Sequence, residues 1–267
     1  MYLLLRLTPI FSSLFILLML LILLQPGLWL GVFGIEKSSI YLITILAALC
    51  FLCLLGTMII IGMGLKLKVR LRFLPFSILF LTSVFAICLF SDSVIFLIAL
   101  LTITPIILWA WHENIYLFWQ HPFRYQAYTL ERLANYFYLL NLFLFIYALT
   151  GIQILLQIPF WAVLIVAASV FMIIQYDLFM LHKLQKQKSL FFSLIGTIMG
   201  LEALMINNLL PTQFLFYGLS IMLLFYIWLG VGKQYLENPD AENKGLTYIL
   251  IGGIGFIASY ITSFWIR

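Results

Sequence analysis

The sequence predicts an all-α fold: a polytopic transmembrane helical bundle of about nine spans (eight to nine), N-terminus cytoplasmic and C-terminus outside. Three observations predict it. Of 267 residues, 65% are hydrophobic and 9% are charged, against roughly 25% charged in a soluble domain. Apolar runs of about 20 residues, the length a helix needs to cross a bilayer core, recur from one end to the other. Lys and Arg fall almost wholly on one side of alternating loops. Residues 1–267 therefore read as a single integral membrane domain. A transmembrane β-barrel does not fit: its strands alternate apolar and polar over about 10 residues, whereas these runs are apolar on all sides.

The first span, 9–33, follows Arg6. A basic residue ahead of the Ile10–Leu24 run also has the order of a secretory signal peptide. Apolar character continues through Leu28–Phe33, past Gln25, Pro26 and Gly27, and no A-x-A-like cleavage site follows. A retained helix is expected; cleavage would leave eight spans, as would a re-entrant pair near Ser91–Ser93. The remaining spans are 39–65, 73–90, 94–111, 133–155, 159–181, 189–209, 213–232 and 246–266. Pro9, Pro75 and Pro159 lie near expected helix starts, where the missing N–H costs nothing. Pro211 separates the seventh and eighth spans. Pro105 falls inside the fourth, after Thr102 and Thr104, and is expected to kink it.

Orientation follows from the loops. Arg6, Lys66–Arg72, Arg124 with Arg132, Lys183–Lys188, and Lys233 with Lys244 place twelve Lys and Arg on one side, leaving only Lys37 and Arg267 on the other. Such a split marks the first side as cytoplasmic and checks the span count, because one helix more or fewer midway would mix the charges. It also accounts for the net charge of +5 without a nucleic-acid partner. The outer loops are too short for a ligand-binding domain. The longest inner connection, 112–132, has Trp119, Phe123, Tyr125 and Tyr128 among its aromatics. It is expected to lie in the cytoplasmic interface as an anchoring segment broken at Pro122.

Glu202 is the polar residue that most demands an explanation. It lies 12 residues beyond Leu190, roughly 18 Å along a helix, slightly past the bilayer midplane. A carboxylate there needs protonation, a partner or an aqueous cavity. On a helical wheel Ser193, Gly196, Gly200, Ala203 and Asn207 share one face, a G-x-x-x-G seam suited to close helix packing. Glu202 lies roughly 130° from the centre of that face. Two readings stand. Glu202 is a proton or ligand site, with Asn207 and Asn135 as its candidate companions. Alternatively it is a neutral side chain bonded to Asn135 or Asn141. Asp177 and Tyr176, one turn from a cytoplasmic end, are expected to be solvated. The last span carries a second small-residue seam through Gly252 and Gly255; without a preceding strand or a following acid it is no nucleotide fingerprint.

The common membrane-enzyme motifs are absent. No D-x-x-x-D could hold a magnesium diphosphate, and His112-Glu113 is followed by Tyr116 and Leu117 where a zinc protease has its second histidine. His112, His121 and His182 are all placed at the cytoplasmic edge, which leaves no embedded serine–histidine pair. His112, Glu113 and His121 make a weak metal set, so no metal or cofactor is predicted. Cys50 and Cys53 form a C-x-x-C inside an apolar span, and Cys88 sits in another; all three read as small packing residues. The sequence thus favours a non-enzyme: a small transporter-like bundle with a buried carboxylate at Glu202, or a membrane scaffold or assembly partner of a larger complex. Its partners would be membrane lipids and a membrane protein or a second copy of the chain.

The segment Leu209-Leu210-Pro211-Thr212-Gln213-Phe214 after Glu202, the Gly218–Trp228 helix and the ending Thr262–Arg267 carry a resemblance. Over roughly residues 109–267 the chain resembles an uncharacterised family of bacterial polytopic membrane proteins. The resemblance implies a multi-pass protein of the bacterial cytoplasmic membrane and transfers no activity or site residue.

Overall fold

A computed structural model describes residues 2–24, 39–90, 94–121, 129–182, 185–209, 214–237 and 244–265. All secondary structure among them is helical: α1 (Tyr2–Leu24), α2 (Ser39–Ile61), α3 (Leu67–Arg70), α4 (Leu74–Phe90), α5 (Val94–Gln120), α6 (Thr129–Leu156), α7 (Phe160–Leu181), α8 (Lys186–Leu209), α9 (Phe214–Glu237) and α10 (Lys244–Trp265). Nine are long and α3 is a single turn. The cause is the apolar composition. A chain with little polar surface satisfies its backbone groups within each segment, and a helix does this for every interior residue. Six helices (α5 to α10) contain stretches long and apolar enough to cross a membrane; α1, α2 and α4 contain shorter apolar stretches, Arg6–Met19, Ile45–Ile61 and Leu74–Cys88.

A long helix overlaps each expected span, but several ends differ. α1 already begins at Tyr2, so Pro9 is inside it rather than at its start; the expected residues 25–33 lie outside the described ones. α2 stops at Ile61 rather than 65, because Gly64 adopts φ +90° and the chain turns through Met63 N–H to Ile60 O and Leu65 N–H to Gly62 O. α5 does not end at 111 but runs to Gln120. No Gly or Pro interrupts it there, and Trp111, Ile115 and Tyr116 keep a buried face at helical spacing. Residues 112–120 of the expected interfacial segment are therefore the last turns of a helix, and 122–128 lie outside the described residues. Pro159 caps the start of α7, after Gln157 at φ 51° reverses the chain and Ile158 N–H bonds Gln153 O.

The helices divide into two compact units, Met1–Leu133 and Ala134–Arg267. In the first, α1 packs against α2 and α5, and α2 against α4. Phe73 meets Trp111 edge-on at 5.6 Å and Trp119 at 5.8 Å, so Trp119, expected in the headgroup layer, packs with Trp111 against the residue that precedes α4. Gln120 Nε2 donates to Ile61 O at 2.7 Å and Met63 O at 3.1 Å, capping carbonyls that the end of α2 leaves free. In the second unit α7 pairs with α8, α8 with α9, and α9 with α10. α6 joins through Tyr138, which bonds Asp177 of α7, and through Phe143, which lies against Gly218 of α9.

Candidate functional site

α8 has two unlike faces. Its buried face is Ser189, Ser193, Gly196, Thr197, Gly200, Leu204 and Asn207. The hydroxyls are satisfied within the helix: Ser189 donates to Gln185 O, Ser193 to Ser189 O and Thr197 to Ser193 O. A polar stripe can thus enter an apolar seam without orphaned donors. The glycines set the approach distance. A Cβ on Gly200 would lie 2.8 Å from the rings of Phe171 (α7) and Phe225 (α9), and one on Gly196 would overlap the Gln175 amide. On α10, a Cβ at Gly252 would meet Ile227, and at Gly255 would stand 3.1 Å from Leu223. Both seams bring backbones together through small residues.

Glu202 stands on the other face. It is exposed, among Ile198, Met205 and Ile206, which are more than half exposed. Among the described residues it has no hydrogen bond or ion pair. The expectation of a carboxylate buried in the bundle, or bonded to Asn135 or Asn141, is corrected here. The physical reason is rotational: the small residues claim one side of α8 for packing, and Glu202 lies well round the helix from it.

The three residues read as one ligand or proton site do not converge. Asn207 is 3% exposed and donates from Nδ2 to Ser220 Oγ of α9 at 2.6 Å. Asn135 bonds His182 Nε2 at 3.2 Å, where α7 ends. Glu202 lies 16 residues beyond the start of α8, roughly 24 Å along it.

Other polar residues came together that the sequence reading had left apart. Tyr138, fully buried, donates to Asp177 Oδ2 at 2.7 Å; Asp177 is a partner of α6 and not simply solvated. Asn141 and Gln175 are 0% exposed, and among the described residues neither amide has a hydrogen-bond partner. A single amide inside an apolar run was the available signal for both. His112 is also fully buried, 3.4 Å from Ser77 Oγ, while His121 bonds the Tyr116 hydroxyl. The three histidines thus have separate partners, and no group of three metal-ligating side chains occurs among the described residues. The Ser77–His112 pair is embedded, and both of its members are fully buried.

Fold and site define a class: among the described residues, an all-α protein with six helices long and apolar enough to cross a membrane, and a carboxylate without a partner on the exposed face of one of them. Comparison with protein-family models, curated proteins and solved structures finds no match.

Proposed function

We propose that this chain is a non-catalytic assembly partner in the bacterial cytoplasmic membrane, a nine-span protein with its N-terminus inside, and that Glu202 is its docking residue. The single observation behind this is the outward, unpartnered Glu202 on α8. A carboxylate at the centre of a lipid-facing helix costs about 2.5–3.5 kcal/mol on insertion scales. A chain that keeps one there, while satisfying the hydroxyls of its inner seam, fits a contact made with another molecule. The nine expected spans contain no Lys or Arg, so a second copy offers no opposite charge at that depth. A different membrane protein with a basic or amide side chain on a facing helix fits better. The twelve-to-two division of basic residues supports the orientation.

A photo-crosslinking amino acid at position 202, activated in native membranes, tests the reading. The expected product is a discrete adduct with another membrane protein, lost when the crosslinker is moved to position 197 on the buried face. An adduct with lipid alone would overturn the proposal, and one with a second copy would replace its hetero-partner form.

The transporter reading draws on a different observation: Asn141 and Gln175 are fully buried amides without a hydrogen-bond partner among the described residues, and each such group in a bundle calls for an explanation. Proton-gradient-dependent flux in proteoliposomes, abolished by Glu202→Gln, would favour it.

A further inference from the structure

α1 and α2 form a groove that their own side chains do not fill. Its volume is about 600 Å³. The floor is made of small residues, Ser12 and Thr57, both nearly fully buried, with Gly56 beside them. The walls are large and exposed: Phe11 at 64%, Leu52 at 59%. Gly56 differs from the seam glycines Gly196 and Gly200. A Cβ added there would meet nothing within 4 Å, so helix packing does not require a glycine at this position. Its effect is to keep the groove open. From Thr8 to Leu18 the groove follows α1 for roughly 15 Å, an open and largely apolar trough that an acyl chain can follow.

One end of the groove is cationic. Thr8 and Ile60 lie where α1 begins and α2 ends. Arg6, exposed, precedes Thr8 by two residues, and exposed Lys66 heads the connection that follows α2. That connection continues in sequence with Lys68, Arg70 and Arg72. Glu113 is near enough for Arg6 to act on it, but Arg6 and Lys66 together outnumber that carboxylate. An apolar groove with exposed Arg6 and Lys66 beyond one end matches an amphiphile with a hydrocarbon tail and an anionic head. We propose that the α1–α2 groove is a binding site for an anionic phospholipid, its acyl chain over Gly56 and its headgroup on Arg6 and Lys66.

The test is native mass spectrometry of the full chain, released from vesicles of equal phosphatidylglycerol and phosphatidylcholine with identical acyl chains. The unchanged protein should retain phosphatidylglycerol preferentially. Gly56→Phe, which fills the groove, should lower retention about tenfold, while Gly56→Ser should leave it unchanged. Arg6→Gln with Lys66→Gln should reduce phosphatidylglycerol retention to the phosphatidylcholine level with the tail site intact. This double variant leaves the helix pair untouched and decides the matter even if Gly56→Phe fails to fold. Equal retention of the two lipids by the unchanged protein, or undiminished preference in the double variant, would overturn the proposal.

Discussion

Glu202 and Asn207 lie five residues apart on α8 and serve opposite faces: Asn207 is sealed against Ser220 at 2.6 Å, and Glu202 is exposed. Five residues turn a helix by roughly 140°, so one strip of sequence supplies both a packing contact and an outward carboxylate. The two should respond to substitution in opposite ways. Glu202→Leu should leave the isolated chain as stable or more stable in detergent, because it removes a polar group from an apolar face. Asn207→Ala should destabilise it by about 0.6–1.7 kcal/mol, the range measured for interhelical hydrogen bonds in membrane proteins. Thermal unfolding of both variants in one detergent checks the contrast.

The glycines separate in the same way. Gly200→Ala would drive a methyl group into the rings of Phe171 and Phe225, whereas a Cβ on Gly253 meets nothing within 4 Å. The first substitution should cost about 1–3 kcal/mol through overpacking, and the second should be neutral. Comparison of unfolding midpoints is sufficient, since both changes add the same methyl group to a helix interior.

Gln120 closes a turn between distant parts of the first unit. Its Nε2 serves both Ile61 O and Met63 O. Gln120→Met keeps the length and removes the donor, and should destabilise the protein by about 1–2 kcal/mol. Proteolysis at 62–65 should accelerate in the same variant.

Tyr138 links α6 to α7 through Asp177, and Asn135 and His182 form a second link at the end of α7. A double-mutant cycle with Tyr138→Phe and Asp177→Asn should give a coupling of about 0.5–1.5 kcal/mol. Independent effects would show that the hydroxyl finds another partner.

Much of the fold was legible because hydropathy at membrane scale is a coarse signal. A 20-residue apolar run is hard to mistake: a long helix overlaps each expected span, and six of these helices are long and apolar enough to cross a membrane. Ends were less legible. Pro9 was read as a start signal although α1 accommodates it internally, and the aromatics after Trp111 were read as headgroup anchors although helical spacing continued the buried face. At the candidate site the seam was legible, because Gly196, Gly200 and Asn207 share a period. The same wheel set Glu202 apart from the seam, but its exposure was not legible, since it was expected to be buried in the bundle. Partners were not legible. Nothing in one sequence says that Asn207 meets Ser220, that Asp177 meets Tyr138, or that Gln175 is enclosed without a partner, because these contacts depend on how helices distant in sequence dock.

The most direct test of Glu202 as a docking residue is the molar mass and composition of the protein extracted with its surrounding membrane, without detergent, from cells expressing the unchanged chain or Glu202→Leu. The account predicts a complex containing a second membrane protein for the unchanged chain, and loss of that protein, with normal folding and abundance, for Glu202→Leu. The same particle from both, together with a proton-driven flux that Glu202→Gln abolishes, would contradict it.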